Sequence, residues 1–192
     1  MASFLFEGAL LAVQLFLLAG VIWFLWTQLS RIVSGVADVP FVPTPKAYAA
    51  TIAEALAIAP GDIVLEIGSG DARILCALAN VQPQAIFIGI ERNPLLNLSA
   101  WVRKYLAGNH ANTFIFSGDF FTTDLSHASK AYAYLLPSVM DRMLPKFEKE
   151  FRGMLASRAF RFSGKKESAV IELSKSPGLH GEHLLYIYDF MR

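Results

Sequence analysis

A single cysteine in 192 residues, Cys76, leaves no partner for an internal disulfide and too few thiolates for a zinc site. That scarcity fits a reducing compartment, with Cys76 packing as a small hydrophobe, and no metal is expected. Net charge is nearly absent: 17 Lys and Arg against 16 Asp and Glu give +1. Proteins that track a phosphate backbone need a basic face, and the Lys165-Lys166 pair is too short to provide one, so nucleic acid is not an expected partner. Internal repeats and low-complexity tracts are missing too, which excludes a solenoid. With over half the residues hydrophobic, the length allows one globular domain plus one lipid-embedded segment.

Between Gly8 and Trp26 there is no charged side chain, and Gln14 is the only polar one. About 20 residues at ~1.5 Å each cover a hydrocarbon core of roughly 30 Å. A signal peptide would carry a basic leading region and a small-residue cleavage site, and an interfacial helix would need a polar face. Neither pattern is convincing here, and a buried helix of the globular domain is the remaining alternative. Trp23 and Trp26 suit a membrane interface, Arg31 follows them, and the leading flank carries Glu7 with no basic residue. The expectation is a single-pass anchor over residues 1–33, held by membrane lipid, with the domain on the cytoplasmic or matrix-equivalent side.

Residues 34–47 hold Gly35, Pro40, Pro43 and Pro45, where fixed φ and missing N–H groups argue against helix. From the residues alone this stretch reads as a spacer. The domain itself, 48–192, alternates strand and helix. Helices are predicted over Ala47–Ala59, Asp71–Asn80, Pro94–Ala107 and Ser138–Phe151. Strands are predicted over Ile63–Ile67, Ala85–Ile90, Asn112–Phe116, Lys130–Leu136, Met154–Phe162, Ser168–Ser174 and Leu184–Met191. The final two strands are joined by too few residues for a parallel crossover, so the Pro177-Gly178 turn predicts an antiparallel pair. A parallel α/β sheet that closes with such a hairpin differs from a dinucleotide-binding domain, whose strands stay parallel.

Chemistry concentrates after the first three strands. The turn Glu66-Ile67-Gly68-Ser69-Gly70-Asp71-Ala72 has glycines where a ligand must approach the backbone. The dinucleotide pattern fails at Arg73, and Asp71 would repel a phosphate at the helix start. Glu66 and Asp71 instead suit a cation without phosphates, as at the methionyl end of S-adenosylmethionine. Glu91 closes the second strand 25 positions after Glu66, near the spacing at which an acid takes ribose hydroxyls. After the third strand, Asp119 can accept from an adenine amino group while Phe120 packs on the base. Taken singly each has a plainer reading: turn geometry for the glycines, a solvated strand end for Glu91, a cap for Asp119, core for Phe120.

With these stations in place, the chain from about Tyr48 to Arg192 resembles the class I (Rossmann-like, seven-stranded) methyltransferases. A narrower likeness rests on Pro40-Phe41-Val42-Pro43-Thr44-Pro45, Pro60-Gly61-Asp62, Gly68-Ser69-Gly70-Asp71-Ala72-Arg73 and Tyr134-Leu135-Leu136-Pro137-Ser138-Val139-Met140. These are similar to the membrane-anchored lysine methyltransferases of the ATP synthase c subunit and ADP/ATP carrier type and to their prokaryotic relatives. The resemblance implies that Phe41, Pro43 and Thr44 help cover the cofactor, and that the partner is a protein substrate. It departs at Ala72, where a third glycine is usual, and at Lys130-Ala131, where an acid is often found. No Asn/Asp-Pro-Pro-Tyr/Phe motif follows the fourth strand, against a base-methylating role. Tyr134, at that strand's end, is the candidate for orienting the nucleophile; a strand aromatic in the core is its plainer reading. A protein-lysine methyltransferase is thus expected, with a small-molecule or lipid (quinone) methyltransferase and a non-catalytic S-adenosylmethionine-binding protein as alternatives.

Overall fold

The structure, a computed structural model, describes residues 2–34, 41–108, 111–174 and 182–191, and divides into units Met1–Ala37 and Asp38–Arg192. Gly35, Pro40 and the Pro177-Gly178 turn lie outside the described residues. In the first unit α1 (Ala2–Ser34) is one uninterrupted helix. Its stretch Glu7–Trp26 has mean hydropathy 2.3 and none of it is buried, so it is long and apolar enough to cross a membrane.

The second unit is built on seven strands: β1 (Ile63–Ile67), β2 (Ile86–Glu91), β3 (Thr113–Ser117), β4 (Lys130–Ala133), β5 (Met154–Arg158), β6 (Ala169–Glu172) and β7 (Leu184–Asp189). Their order is β3-β2-β1-β4-β5-β7-β6. β7 runs antiparallel between β5 and β6, and the other neighbours are parallel. The short β6–β7 link does make an antiparallel pair, and this is the class I methyltransferase layout.

Two apolar layers bury the sheet. On one face α2 (Ala49–Ala55) and α3 (Arg73–Val81) pack Ile52, Leu75 and Leu78 with Phe87 and Tyr132. On the other, α5 (Pro137–Glu150) packs Met140, Met143 and Phe147 with Ile67, Leu155 and Tyr188. Cys76 is one of the buried residues, and burial pushes its thiol up to about 11, which makes it an inert filler. α4 (Pro94–Ala107) has the bounds its sequence signals predict: the Asn93 side chain accepts from the Leu95 and Leu96 amides, Pro94 opens the helix, and Gly108 ends it at φ 72°.

Six elements are shorter than the sequence predicts, β6 and β7 by two or three residues and four others as follows. α2 is preceded by a 3-10 turn at Lys46–Tyr48 and stops before Ala57, whose φ of 48° turns the chain. α3 starts at Arg73 rather than Asp71, because Ala72 is left-handed at φ 54°. β5 ends at Arg158, with Ala159 at φ 65°. β4 ends at Ala133, where its pairing with β1 and β5 stops, and Pro137 opens α5 after three intervening residues. These early ends leave Asp71, Tyr134 and Arg158 at the sheet's rim.

Candidate cofactor and acceptor site

Register places the rim residues in one line. Ile67 pairs with Ile90 on one side and with Ala133 on the other, Ala133 with Ser157, and Glu91 with Ser117. One step further along, Glu91, Gly68, Tyr134 and Arg158 therefore follow one another across four strand ends. The strand order reverses between β1 and β4, where a crevice opens in a sheet of this kind.

The glycine turn is folded tightly onto β2. The Gly68 and Ser69 amides both donate to the Ile90 carbonyl, at 2.9 and 3.0 Å. Gly68 and Gly70 take φ of 70° and 56°, and Ala72, at the third-glycine position, takes 54°. Left-handed geometry at an alanine costs roughly 1 kcal/mol, so this turn is held by its surroundings rather than by local preference. Glu91 supplies part of that hold. Its Oε2 accepts from the Gly70 amide at 2.9 Å and its Oε1 from the Asn93 amide at 2.8 Å. Burial raises the Glu91 carboxyl, and those two amides offset part of the rise.

Asp71 is held differently. Arg73 and Arg103 both reach its Oδ2, at 2.8 and 2.7 Å, and Arg103 Nε donates to its carbonyl at 2.9 Å. Burial alone would raise this carboxyl, but the two guanidinium groups outweigh it and leave it below the ordinary value. The negative charge of Asp71 is thus largely answered within the protein. Glu66 is not answered. It is buried, its Oε2 has no hydrogen-bond partner, and burial, followed by the charge of Asp71, pushes its carboxyl well above the usual carboxylate range. A bare backbone beside an orphaned acidic oxygen fits a cationic group.

At the third station Asp119 Oδ1 accepts from the Phe121 amide at 2.9 Å, and Arg92 lies 3.8 Å from Oδ2. Phe120 packs against Phe121, ring centroids 4.9 Å apart. Above the loop, the Phe41 ring lies so close to Gly70 that a Cβ there would be 2.5 Å from Cε2. Pro43 is exposed, whereas Thr44 is buried with its Oγ1 2.8 Å from the Tyr132 hydroxyl.

Sequence reasoning missed what holds Thr44. Arg158, 4 % exposed, donates from Nη1 to Thr44 Oγ1 at 3.2 Å and from Nε to the Glu182 carbonyl at 2.9 Å. Its guanidinium lies 4.4 Å from the centre of the Tyr134 ring and 5.5 Å from that of Tyr48. Tyr134 in turn donates to Glu182 Oε1 at 3.2 Å. An arginine inside the apolar run Met154–Phe162 was the available signal, since a buried cation needs partners. Among the described residues no group of three or more His, Cys, Asp or Glu is placed to hold a metal ion.

Residues 66–169, just over half of the chain, match the family model of the ANTKMT methyltransferase domain. The chain belongs to this methyltransferase family. It is an S-adenosylmethionine-dependent methyltransferase, and the matched span contains Glu66, Glu91, Asp119, Tyr134 and Arg158 but neither Thr44 nor Glu182. A "Protein-lysine N-methyltransferase" of Saccharolobus islandicus is 29% identical over 81% of this chain and 96% of its own. A lysine N-methyltransferase of the ATP synthase c subunit, from Xenopus laevis, is 29% identical over 64% of this chain, which spans only 53% of that longer protein. Among solved structures, an RNA methyltransferase from Salinibacter ruber in complex with S-adenosyl-L-homocysteine is 27% identical at TM-score 0.69, covering 78% of this chain and 94% of its own. The ANTKMT-domain family thus agrees with the sheet order and with a cofactor that carries a positive charge and no phosphate.

Proposed function

We propose that this methyltransferase acts on the ε-amino group of a lysine in a membrane-associated protein, with residues 7–26 as its single-pass anchor and the domain on the cytoplasmic or matrix-equivalent side. The observation that carries the acceptor class is the likeness, over 96% of its length, to a protein named as a protein-lysine N-methyltransferase. The lack of an Asn/Asp-Pro-Pro-Tyr/Phe motif after β4 and the net charge of +1 weigh against a nucleobase acceptor.

In this reading Glu66 receives the α-ammonium of S-adenosylmethionine through its orphaned oxygen, and Gly68, Ser69 and Gly70 let the methionyl part lie against bare backbone. Glu91 keeps lone-pair sites on both oxygens beyond those given to Gly70 and Asn93, enough to accept ribose hydroxyls as well. Asp119 takes the adenine amino group and Phe120 packs on the base. Phe41, Pro43 and Thr44 cover the loop. Asp71, neutralised by two arginines, shapes the turn more than it attracts the cofactor. When bound, the cofactor presents a methyl group on a sulfonium for in-line attack by a neutral amine. The chain's part is to align that amine, exclude water and place fixed dipoles, with Tyr134 at the rim beside Gly68.

Incubating the full-length protein and cell membranes with tritiated S-adenosylmethionine tests this. Label on protein lysines supports the reading. Label in the lipid extract or in RNA, or none at all, defeats it in favour of a lipid methyltransferase, an RNA methyltransferase or a non-catalytic binder. Anchoring is checked separately: the protein should stay in the membrane pellet after alkaline carbonate washing.

A further inference from the structure

We infer that Tyr134 and Glu182, backed by Arg158, form the subsite that receives the ammonium group of the acceptor, an inference that rests on the lysine reading above. Tyr134 follows Ala133, whose strand partner Ile67 leads into Gly68, so its backbone is next to the turn assigned to the methionyl end of the cofactor, while its ring leans towards β5 and β7. The ring has little freedom. Arg158 lies 4.4 Å from its centre, and Phe160 stacks with it at 6.2 Å and 20°. That packing aims the hydroxyl at Glu182 Oε1, 3.2 Å away. Glu182 is fixed as well, because its carbonyl accepts from Arg158 Nε at 2.9 Å.

The chemistry matches an aliphatic amine. A carboxylate offers about four lone-pair sites, and Tyr134 uses one, so Glu182 can also accept N–H donors from an ammonium. Tyr48, Tyr134 and Phe160 give aromatic surface suited to a four-carbon stem. Arg158 then acts against keeping the charge. It is a buried cation, and among the described residues no carboxylate lies within ion-pair distance of it. Glu182 draws the ammonium in, and the guanidinium beneath the Tyr134 ring favours release of its proton to water, leaving the neutral amine that attack requires. Arg158 also holds Thr44 by a hydrogen bond, so one residue ties the acceptor subsite to the segment that covers the cofactor loop.

The test uses the full-length protein saturated with S-adenosylhomocysteine and n-butylammonium as the probe. Tyrosine ring signals are followed by NMR, with Tyr134 assigned by its loss in Tyr134→Phe. A saturable shift of the Tyr134 signal is expected, and n-butanol should not reproduce it. Glu182→Gln should weaken the amine at least tenfold and Glu182→Asp less, while S-adenosylhomocysteine affinity by calorimetry stays within twofold and reports an intact fold. An unmoved Tyr134 signal, or wild-type amine affinity in Glu182→Gln, overturns the subsite. Those results alongside tritium on protein lysines would remove the subsite alone. Glu182-dependent amine binding without lysine label would remove the lysine reading and keep an amine subsite.

Discussion

Glu66→Gln removes the ability to ionise without changing shape, in a place where a carboxylate charge has opposite consequences for the empty and the loaded protein. The Glu66 carboxyl is buried beside the glycine turn with Oε2 unpartnered, and its proton is held well above the ordinary value of 4.5. The folded chain therefore keeps a proton that the unfolded chain has lost. Stability falls as pH rises from about that ordinary value through the folded one, and the glutamine variant should lack this slope. Near neutral pH the variant should melt higher, by ~2–4 °C for each kcal/mol of relieved burial. Cofactor binding should move the other way. A charge-assisted hydrogen bond to an ammonium contributes about 1.5–3 kcal/mol, so the variant's Kd for S-adenosylmethionine should rise roughly 10- to 150-fold. Calorimetry in two buffers of different ionisation enthalpy should also show proton release on binding to the wild type, absent in the variant. Cofactor affinity within twofold of wild type, or a wild-type melting temperature flat across the acid-to-neutral range, would refute the assignment of Glu66 to the ammonium.

Gly70→Ala combines a left-handed φ of 56° with a Cβ 2.5 Å from the Phe41 ring; it should cost about 1–2 kcal/mol in urea unfolding and weaken S-adenosylhomocysteine about tenfold by displacing that ring. Asp71→Asn loses both guanidinium pairs; because the arginines are about a third exposed, the cost should be ~1–3 kcal/mol. Asp71 is held below its ordinary value of 3.8, so this contribution is present above that pH and disappears as pH falls through the folded value; denaturant midpoints of variant and wild type should converge there. Gly153→Ala drives a methyl group into the Ser129 carbonyl oxygen and should destabilise the fold by about 3 kcal/mol or more, read as a lower denaturant midpoint.

The parts legible from sequence are those whose cause is local. α4 has its bounds written in Asn93, Pro94 and Gly108, and the final antiparallel pair follows from a link too short to cross over. The early end of β4 was obscured because Tyr134-Leu135-Leu136 continues the apolar run, and only Pro137 signals the break. The glycine turn, Glu91 and Thr44 do converge at one rim, but what engages them is distant in sequence. Arg103 meets Asp71 across 32 positions and Arg158 meets Thr44 across 114, and no pattern of period 2 or 3.6 reports such a contact.

Gly153 carries a consequence for the proposed acceptor subsite although it lies at the opposite end of the strands from the rim. β4 pairs over four residues only, and a slip of one would take Tyr134 out of line with Gly68 and turn Tyr132 to the other face. Its entry is fastened at Ser129. The Ser129 amide donates to the Ile63 carbonyl, its carbonyl accepts from Met154, and its hydroxyl donates to Asp62 of the Pro60-Gly61-Asp62 turn at 2.7 Å. Gly153 leaves room for that carbonyl where any side chain would intrude. If Tyr134 aligns the methyl acceptor as proposed, that alignment is gauged from a peg at the base of the sheet, and the Pro60-Gly61-Asp62 turn, at the end of the strands opposite the rim, would serve it by keeping the count of residues between peg and rim.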